Sequence, residues 1–335
     1  QINRMEKISF IGCGSWGGAL SKVLSDKGIS SLMWHRNIEI INEMRSTRRH
    51  YLVPELTFSD KVVFTEDLSS VIENSSILVL AIPSQSIRNV IMPYRSLVKK
   101  QQIIVNLAKG IEVDTLLTVS GVLEDILGTS FDNIVTLSGP SHAEEVILGH
   151  PTTLVSASKN ENAAAKIQET FSNRTLRTYK NDDILGVELG GAMKNVIAIA
   201  AGICDGIGYG DNSKAALLTR GMGEITKLGT SMGAKASTFQ GLSGYGDLIV
   251  TCLSKHSRNR RVGQAIGEGH SLKKVLEDMS MVAEGVLSAK SIHQLRLKHN
   301  VQMPIHEAIY QVLFEGKNPE HSVEELMTRS LTSEI

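Results

Sequence analysis

Lys7-Ile8-Ser9-Phe10-Ile11-Gly12-Cys13-Gly14-Ser15-Trp16-Gly17-Gly18-Ala19-Leu20 is the stretch whose reading decides the fold. Lys7–Ile11 reads as a buried strand, glycines then fall in the spacing G-x-G-x-x-G, and Ala19, Leu20, Val23 and Leu24 recur at helical spacing. A strand that turns through glycines into a helix presents backbone N–H groups at the positive end of the helix dipole, where phosphate oxygens are held. Gly12 permits the tight turn, Gly14 the close approach of a pyrophosphate and Gly17 the packing of helix on strand. Gly12, Gly14, Ser15, Trp16 and Gly17 are therefore read as a dinucleotide site, although Trp16 also suits a core position.

Working outward, short apolar runs alternate with amphipathic segments as far as Thr178. Strands are expected at Lys7–Ile11, Ser31–Trp34, Val62–Thr65, Ile77–Ile82, Ile103–Leu107, Ile134–Leu137, Thr152–Ala157 and Thr175–Tyr179. Several lack polar alternation, as strands buried on both faces do. After about Asp183 the pattern turns helical, with one helix expected over Asn212–Met232 capped by Asn212 and later helix starts at Ser237, Ser271 and Met303-Pro304. The expected class is α/β: an N-terminal Rossmann-type, mostly parallel sheet domain over 5–190, followed by an all-α C-terminal, substrate-binding domain over 191–335. A chain of 335 residues suits two cores.

Lysine plus arginine balance aspartate plus glutamate at 35 each, which argues against nucleic acid as the partner. Three separated cysteines, Cys13, Cys204 and Cys252, show no metal-ligand spacing and fit reduced thiols in the cytoplasm, so no metal is expected. No uncharged apolar stretch reaches the length that spans a bilayer, so no membrane insertion is expected. Gln1–Arg4 precede Met5 and are set aside as upstream sequence.

The second strand ends at Trp34-His35-Arg36-Asn37, where an NAD-selective fold usually carries an acid. Arg36, with His35 beside it, suits the 2′-phosphate of NADP, and Glu39 leaves room for NAD; a solvated surface arginine is the plain alternative. Farther on, Lys194 interrupts the apolar run Glu188–Gly202, and Gly190 and Gly191 share its helix face, leaving space for a ligand. A lysine so placed either snorkels to solvent or serves proton transfer.

These segments resemble the bacterial NAD(P)H-dependent glycerol-3-phosphate dehydrogenases from Met5 nearly to the end. The resemblance rests on the glycine turn with Ser15-Trp16-Gly17, on Ala108–Glu112, Leu137–Ser141 and Glu188–Gly202, then on Gly241–Leu248, Ser257–Arg260 and Val282–Gly285. It implies reversible reduction of dihydroxyacetone phosphate to sn-glycerol 3-phosphate for phospholipid synthesis, with NADPH or NADH, in the cytoplasm; a homodimer is expected separately, because glycine-rich, apolar helices such as Ala198–Ile207 could serve an interface. Lys194 is implied as the acid/base. Lys109 is implied at substrate and nicotinamide, as a second cation that lowers the pKa of Lys194. Substrate contacts are implied for Gly139, Ser141, Asp247, Ser257, Arg258 and Asn259, and cofactor contacts for Ala143, Arg258, Val282 and Glu284. His142 stands where such enzymes commonly carry Phe, and is read as a packing variant. A reductase of another ketone or hydroxyacid, or a regulator that binds NADP without turnover, remains the alternative reading.

Overall fold

The computed structural model of the chain describes residues 7–279, 283–331 and 333. Its eight strands are β1 (Ile8–Ile11), β2 (Ser31–Trp34), β3 (Val62–Thr65), β4 (Ile77–Leu80), β5 (Ile103–Asn106), β6 (Ile134–Ser138), β7 (Thr152–Ala157) and β8 (Leu176–Asn181). They form one sheet in the order β3-β2-β1-β4-β5-β6-β7-β8, parallel throughout except between β6 and β7. Central β1 and β4 are buried along their whole length, whereas the edge strands β3 and β8 alternate buried and exposed residues. The helix α1 (Ser15–Asp26) leaves β1 directly and lays Ala19, Leu20, Val23 and Leu24 into the core. Full burial of each Leu or Val side chain contributes about 1.5–3 kcal/mol.

The described chain divides into two units. One holds the residues up to Lys109 together with Leu117–Glu188; the other holds Gly110–Leu116 and the residues from Leu189 onward. The excursion Gly110–Leu116 was not foreseen from the sequence. Ser291 Oγ donates to the Ile111 carbonyl and ties it into the helical unit.

The helical unit is built on α2 (Ile184–Ile207), α3 (Asp211–Ser231), α4 (Asp247–Leu253), α5 (Arg258–Gly267), α6 (Glu284–Lys298) and α7 (Pro304–Phe314). Two expected starts move. The cap of α3 is the extended Gly210, not Asn212, and the short helix Ala236–Phe239 starts from Lys235 rather than Ser237. Ala215 on α3 is exposed, and burial begins at Gly221, where an added Cβ would sit 2.7 Å from Ile197 Cδ1 of α2. The helix α2 is long and apolar enough to cross a bilayer despite Glu188 and Lys194, a correction to the sequence reading. It is 94% buried in protein over its most apolar window, which makes it a core helix here.

Backbone contact fixes where α2 meets α5. A Cβ on Gly202 or Gly206 would fall 1.9 Å from the Arg260 carbonyl oxygen or 2.3 Å from that of Gln264. Reciprocally, a Cβ on Gly263 or Gly267 would fall 1.9 Å from the Ile199 oxygen or 2.5 Å from that of Ile203. Four glycines, two per helix and four residues apart, let the two backbones touch. Gly202→Ala should therefore lower unfolding stability by about 3 kcal/mol through overpacking. Gly223→Ala, on the open face of α3 with nothing within 4 Å, should raise it by about 0.5–1 kcal/mol. Urea unfolding of both proteins measures this, and equal shifts would refute the backbone-contact account.

Candidate functional site

In the sheet unit, the carboxyl ends of the parallel strands collect the residues read as a nucleotide site. β1 and β4 are neighbours although β2 and β3 intervene in sequence, so the chain reverses direction across the sheet at this point, where ligands of open α/β sheets bind. Gly12 takes φ +105°, and a Cβ there would lie 2.5 Å from the Ala81 oxygen at the end of β4. A Cβ on Gly17 would lie 2.7 Å from Ala81 Cβ. Gly14 caps α1 without a side-chain hydrogen bond, so Ser15 and Trp16 begin the helix behind a bare backbone turn. That cradle fits a pyrophosphate. Trp16 is half-buried and packs on the sheet core. The Cys13 thiol is buried, donates to the Trp34 carbonyl at 3.4 Å, and is pushed by burial up to about 12, so it brings no charge to the turn.

His35 and Arg36 follow β2. His35 Nδ1 accepts from the Asn37 N–H at 3.1 Å, and its ring centroid lies 5.7 Å from that of Tyr51. Burial lowers its pKa, and the Arg36 charge acts in the same direction. Arg36 itself is exposed, while Asn37 caps the next helix through the Glu39 N–H.

Lys109 follows β5 and donates from Nζ to the Gly139 carbonyl at 3.0 Å, which Ser141 Oγ also reaches at 3.0 Å. Lys109 and Ser141 thus share one carbonyl. Gly139 has φ +139°, and a Cβ there would meet the Thr153 oxygen at 3.1 Å. His142 caps the short helix Ala143–Ile147, whose first residue, Ala143, is buried. Behind Lys109 stands a network whose partners the sequence does not show. Glu188, wholly buried, accepts from the Ser120 N–H and hydroxyl, the Thr136 hydroxyl and the Asn106 amide. Asn106 Oδ1 in turn accepts from the Ala108 N–H at 2.8 Å, one residue before Lys109. Burial raises the Glu188 pKa, while hydrogen bonds from Ser120, Thr118 and Thr136 oppose that rise.

In the helical unit, Lys194 on α2 is 5% exposed. It does not snorkel. Its ammonium meets Asp247 Oδ1 at 2.7 Å and also donates to Thr251 Oγ1, while the Thr251 hydroxyl donates to the Asp247 carbonyl at 2.6 Å. The space expected beside the amine at Gly190 is taken by protein: a Cβ there would lie 2.8 Å from the Ser243 oxygen. Ser243 belongs to the π-helical turn Leu242–Gly246, which delivers Asp247 to the start of α4. Thr251 was missed in the sequence, yet it stands one helical turn after Asp247 and so shares its face.

Ser257 caps α5, its Oγ accepting from the Arg260 N–H at 3.2 Å. Arg258 and Asn259 form the first turn, where N–H groups and the dipole suit an anion. Asn259 Oδ1 accepts from the Gly285 N–H at 3.0 Å and so ties α5 to the start of α6, beside Glu284. Arg260 clamps Asp205 of α2 through Nε at 2.7 Å, and Lys214 meets the other Asp205 oxygen at 3.0 Å. Val282 lies outside the described residues.

A Rossmann-type unit with a bare glycine turn, joined in one chain to a helical unit with a buried Lys-Asp-Thr cluster, defines a dinucleotide-binding α/β protein with an appended helical domain. The N-terminal model of NAD-dependent glycerol-3-phosphate dehydrogenase matches residues 7–164 and the C-terminal model matches 183–324. The chain belongs to that family. It is 49% identical over 334 residues to the glycerol-3-phosphate dehydrogenase [NAD(P)+] of Bacillus velezensis, covering 99% of this chain and 96% of that protein. It is 46% identical to the Clostridium perfringens protein of the same name, over 98% of this chain and 99% of that one. The crystal structure of glycerol-3-phosphate dehydrogenase from Coxiella burnetii superposes with a TM-score of 0.92 at 34% identity, covering 97% of this chain and 99% of that one.

All three cysteines are buried and free, and burial raises each thiol pKa, to about 12 for Cys13 and Cys252. At pH 8 the native protein should therefore react with none of its thiols when titrated with a chromogenic disulfide reagent, and with three after unfolding in guanidinium. Rapid reaction of the native protein would contradict this burial.

Proposed function

We propose that the protein reduces dihydroxyacetone phosphate to sn-glycerol 3-phosphate, reversibly, with NADPH and also NADH. The observation that carries this reading is the buried ammonium of Lys194, held by Asp247 and Thr251 in a chain of this family. The sheet unit takes the cofactor and the helical unit the substrate. When bound, the nicotinamide supplies the hydride for reduction or receives it in the reverse direction.

As negative charge grows on the ketone oxygen, the Lys194 ammonium stabilises it and donates the proton; in reverse the amine removes the alcohol proton. Asp247 keeps the lysine aimed and accepts a hydrogen bond from a substrate hydroxyl. The phosphate is held at the start of α5 by the helix dipole, the Asn259 N–H, the Arg258 guanidinium and Ser257. Lys109, Gly139 and Ser141 complete the substrate contacts, and Lys109 also faces the nicotinamide. Gly12, Gly14, Ser15, Trp16 and Gly17 hold the pyrophosphate, His35 and Arg36 the adenosine end, and Ala143, Arg258, Val282 and Glu284 the rest of the cofactor. The protein acts in the cytoplasm as a homodimer without membrane insertion, supplying the glycerol backbone of phospholipids.

Loss of NADPH or NADH absorbance on adding dihydroxyacetone phosphate tests the reading. The wild type should turn over, and Lys194→Met should lose roughly 10²–10⁴-fold in kcat while retaining NADPH binding. A wild type that binds NADPH without turnover would leave the regulator as the better account. Arg36→Ala should raise KM for NADPH by about tenfold, as loss of one charge-assisted contact does, and leave that for NADH nearly unchanged. Equal effects on both cofactors would remove Arg36 from 2′-phosphate recognition.

A further inference from the structure

His50 lies in none of the motif blocks, yet it is joined to the dinucleotide turn. It is 1% exposed and sits after the helix Ile38–Thr47, its own N–H donating to the Leu56 carbonyl at 2.9 Å. Its Nδ1 accepts the N–H groups of Leu52 at 3.1 Å and Val53 at 3.2 Å. That nitrogen is therefore unprotonated, and the proton is on Nε2, which donates to the Cys13 carbonyl at 2.9 Å. The ring stacks on Tyr51 with centroids 5.1 Å apart and fills the space left by Gly18, where a Cβ would lie 2.7 Å from His50 Cδ2. Burial lowers its pKa, which keeps the neutral tautomer these bonds require.

The carbonyl of Cys13 and the N–H of Gly14 belong to one planar trans peptide and point in opposite directions. A donor that holds the carbonyl from the protein side thereby turns the Gly14 N–H outward, away from the imidazole. We infer that His50 is a positioning residue for the cofactor: its Nε2–H bond to Cys13 presets the pyrophosphate turn and so sets nucleotide affinity. The inference rests on the reductase reading only for the identity of the nucleotide.

Two substitutions divide the two ends of the imidazole. His50→Asn keeps an acceptor near the Leu52 and Val53 N–H groups but loses the donor to Cys13; His50→Gln carries an amide nitrogen out toward the Nε2 position. Calorimetric titration with NADPH should give about a tenfold higher Kd for His50→Asn and a Kd within about threefold of wild type for His50→Gln. For both, kcat at saturating NADPH should stay within about twofold, which a general loss of structure would not preserve. An unchanged Kd in His50→Asn, or equal weakening in both variants, would overturn the inference. In the unaltered protein, the His50 Nε2–H resonance should shift on adding NADPH and stay in place with dihydroxyacetone phosphate alone. No response to NADPH would likewise overturn it. A wild type that binds NADPH with this pattern but never turns over would defeat the reductase reading and leave the role of His50 standing.

Discussion

An ammonium in the middle of a packed helix requires an anion held at a fixed place, and much of the helical unit meets that requirement. Stripping water from one ion costs several kcal/mol, recovered only when the partner sits in good geometry and remaining donors and acceptors are used. Asp247 is brought to Lys194 by the π-helical turn Leu242–Gly246, and that turn packs closely because Gly190 and Gly244 carry no side chain. Thr251 closes the cluster by accepting from Lys194 and donating to the Asp247 carbonyl. The same helix then meets α5 backbone to backbone, and the Asp205–Arg260 clamp locks that crossing. The buried lysine and the start of α5 are thereby held on one frame.

The sheet unit solves a different problem, the close approach of strand ends. Only a residue without Cβ can occupy position 12, where the turn leaves β1 against the Ala81 carbonyl at the end of β4. The backbone is left bare toward a ligand as a by-product of that steric limit. Asn106 and Glu188 do for Lys109 what His50 does for Cys13: a buried polar side chain fixes one peptide so that its neighbour points usefully. Asn106 and His50 lie in no motif, and Glu188 opens one without its partners being visible there.

Local pattern made much of this legible. The strand-glycine-helix order exposes the sheet class, because a parallel sheet buried on both faces writes itself as unbroken apolar runs such as Ile77–Leu80. Ser257 and Ser271 could be read as caps because capping is a contact within four residues. Asn212 misled for the complementary reason: it has a capping side chain, but the extended backbone belongs to Gly210. Gly190 also misled, since a small residue reads as space for a ligand when the space is filled by the Ser243 carbonyl.

The sequence by itself determined the class of fold, the glycine turn between β1 and α1 and the anomaly at Lys194, all properties of spacing along one chain. Tertiary structure alone decided that Lys194 is paired rather than snorkelling, that Thr251 joins Asp247 around it, that Asn259 spends its side-chain oxygen on Gly285, and that Glu188 and His50 stand behind the visible motifs. The physical reason is that the partner of a buried polar group is chosen by three-dimensional packing, and here those partners lie 26 to 82 residues away in the chain.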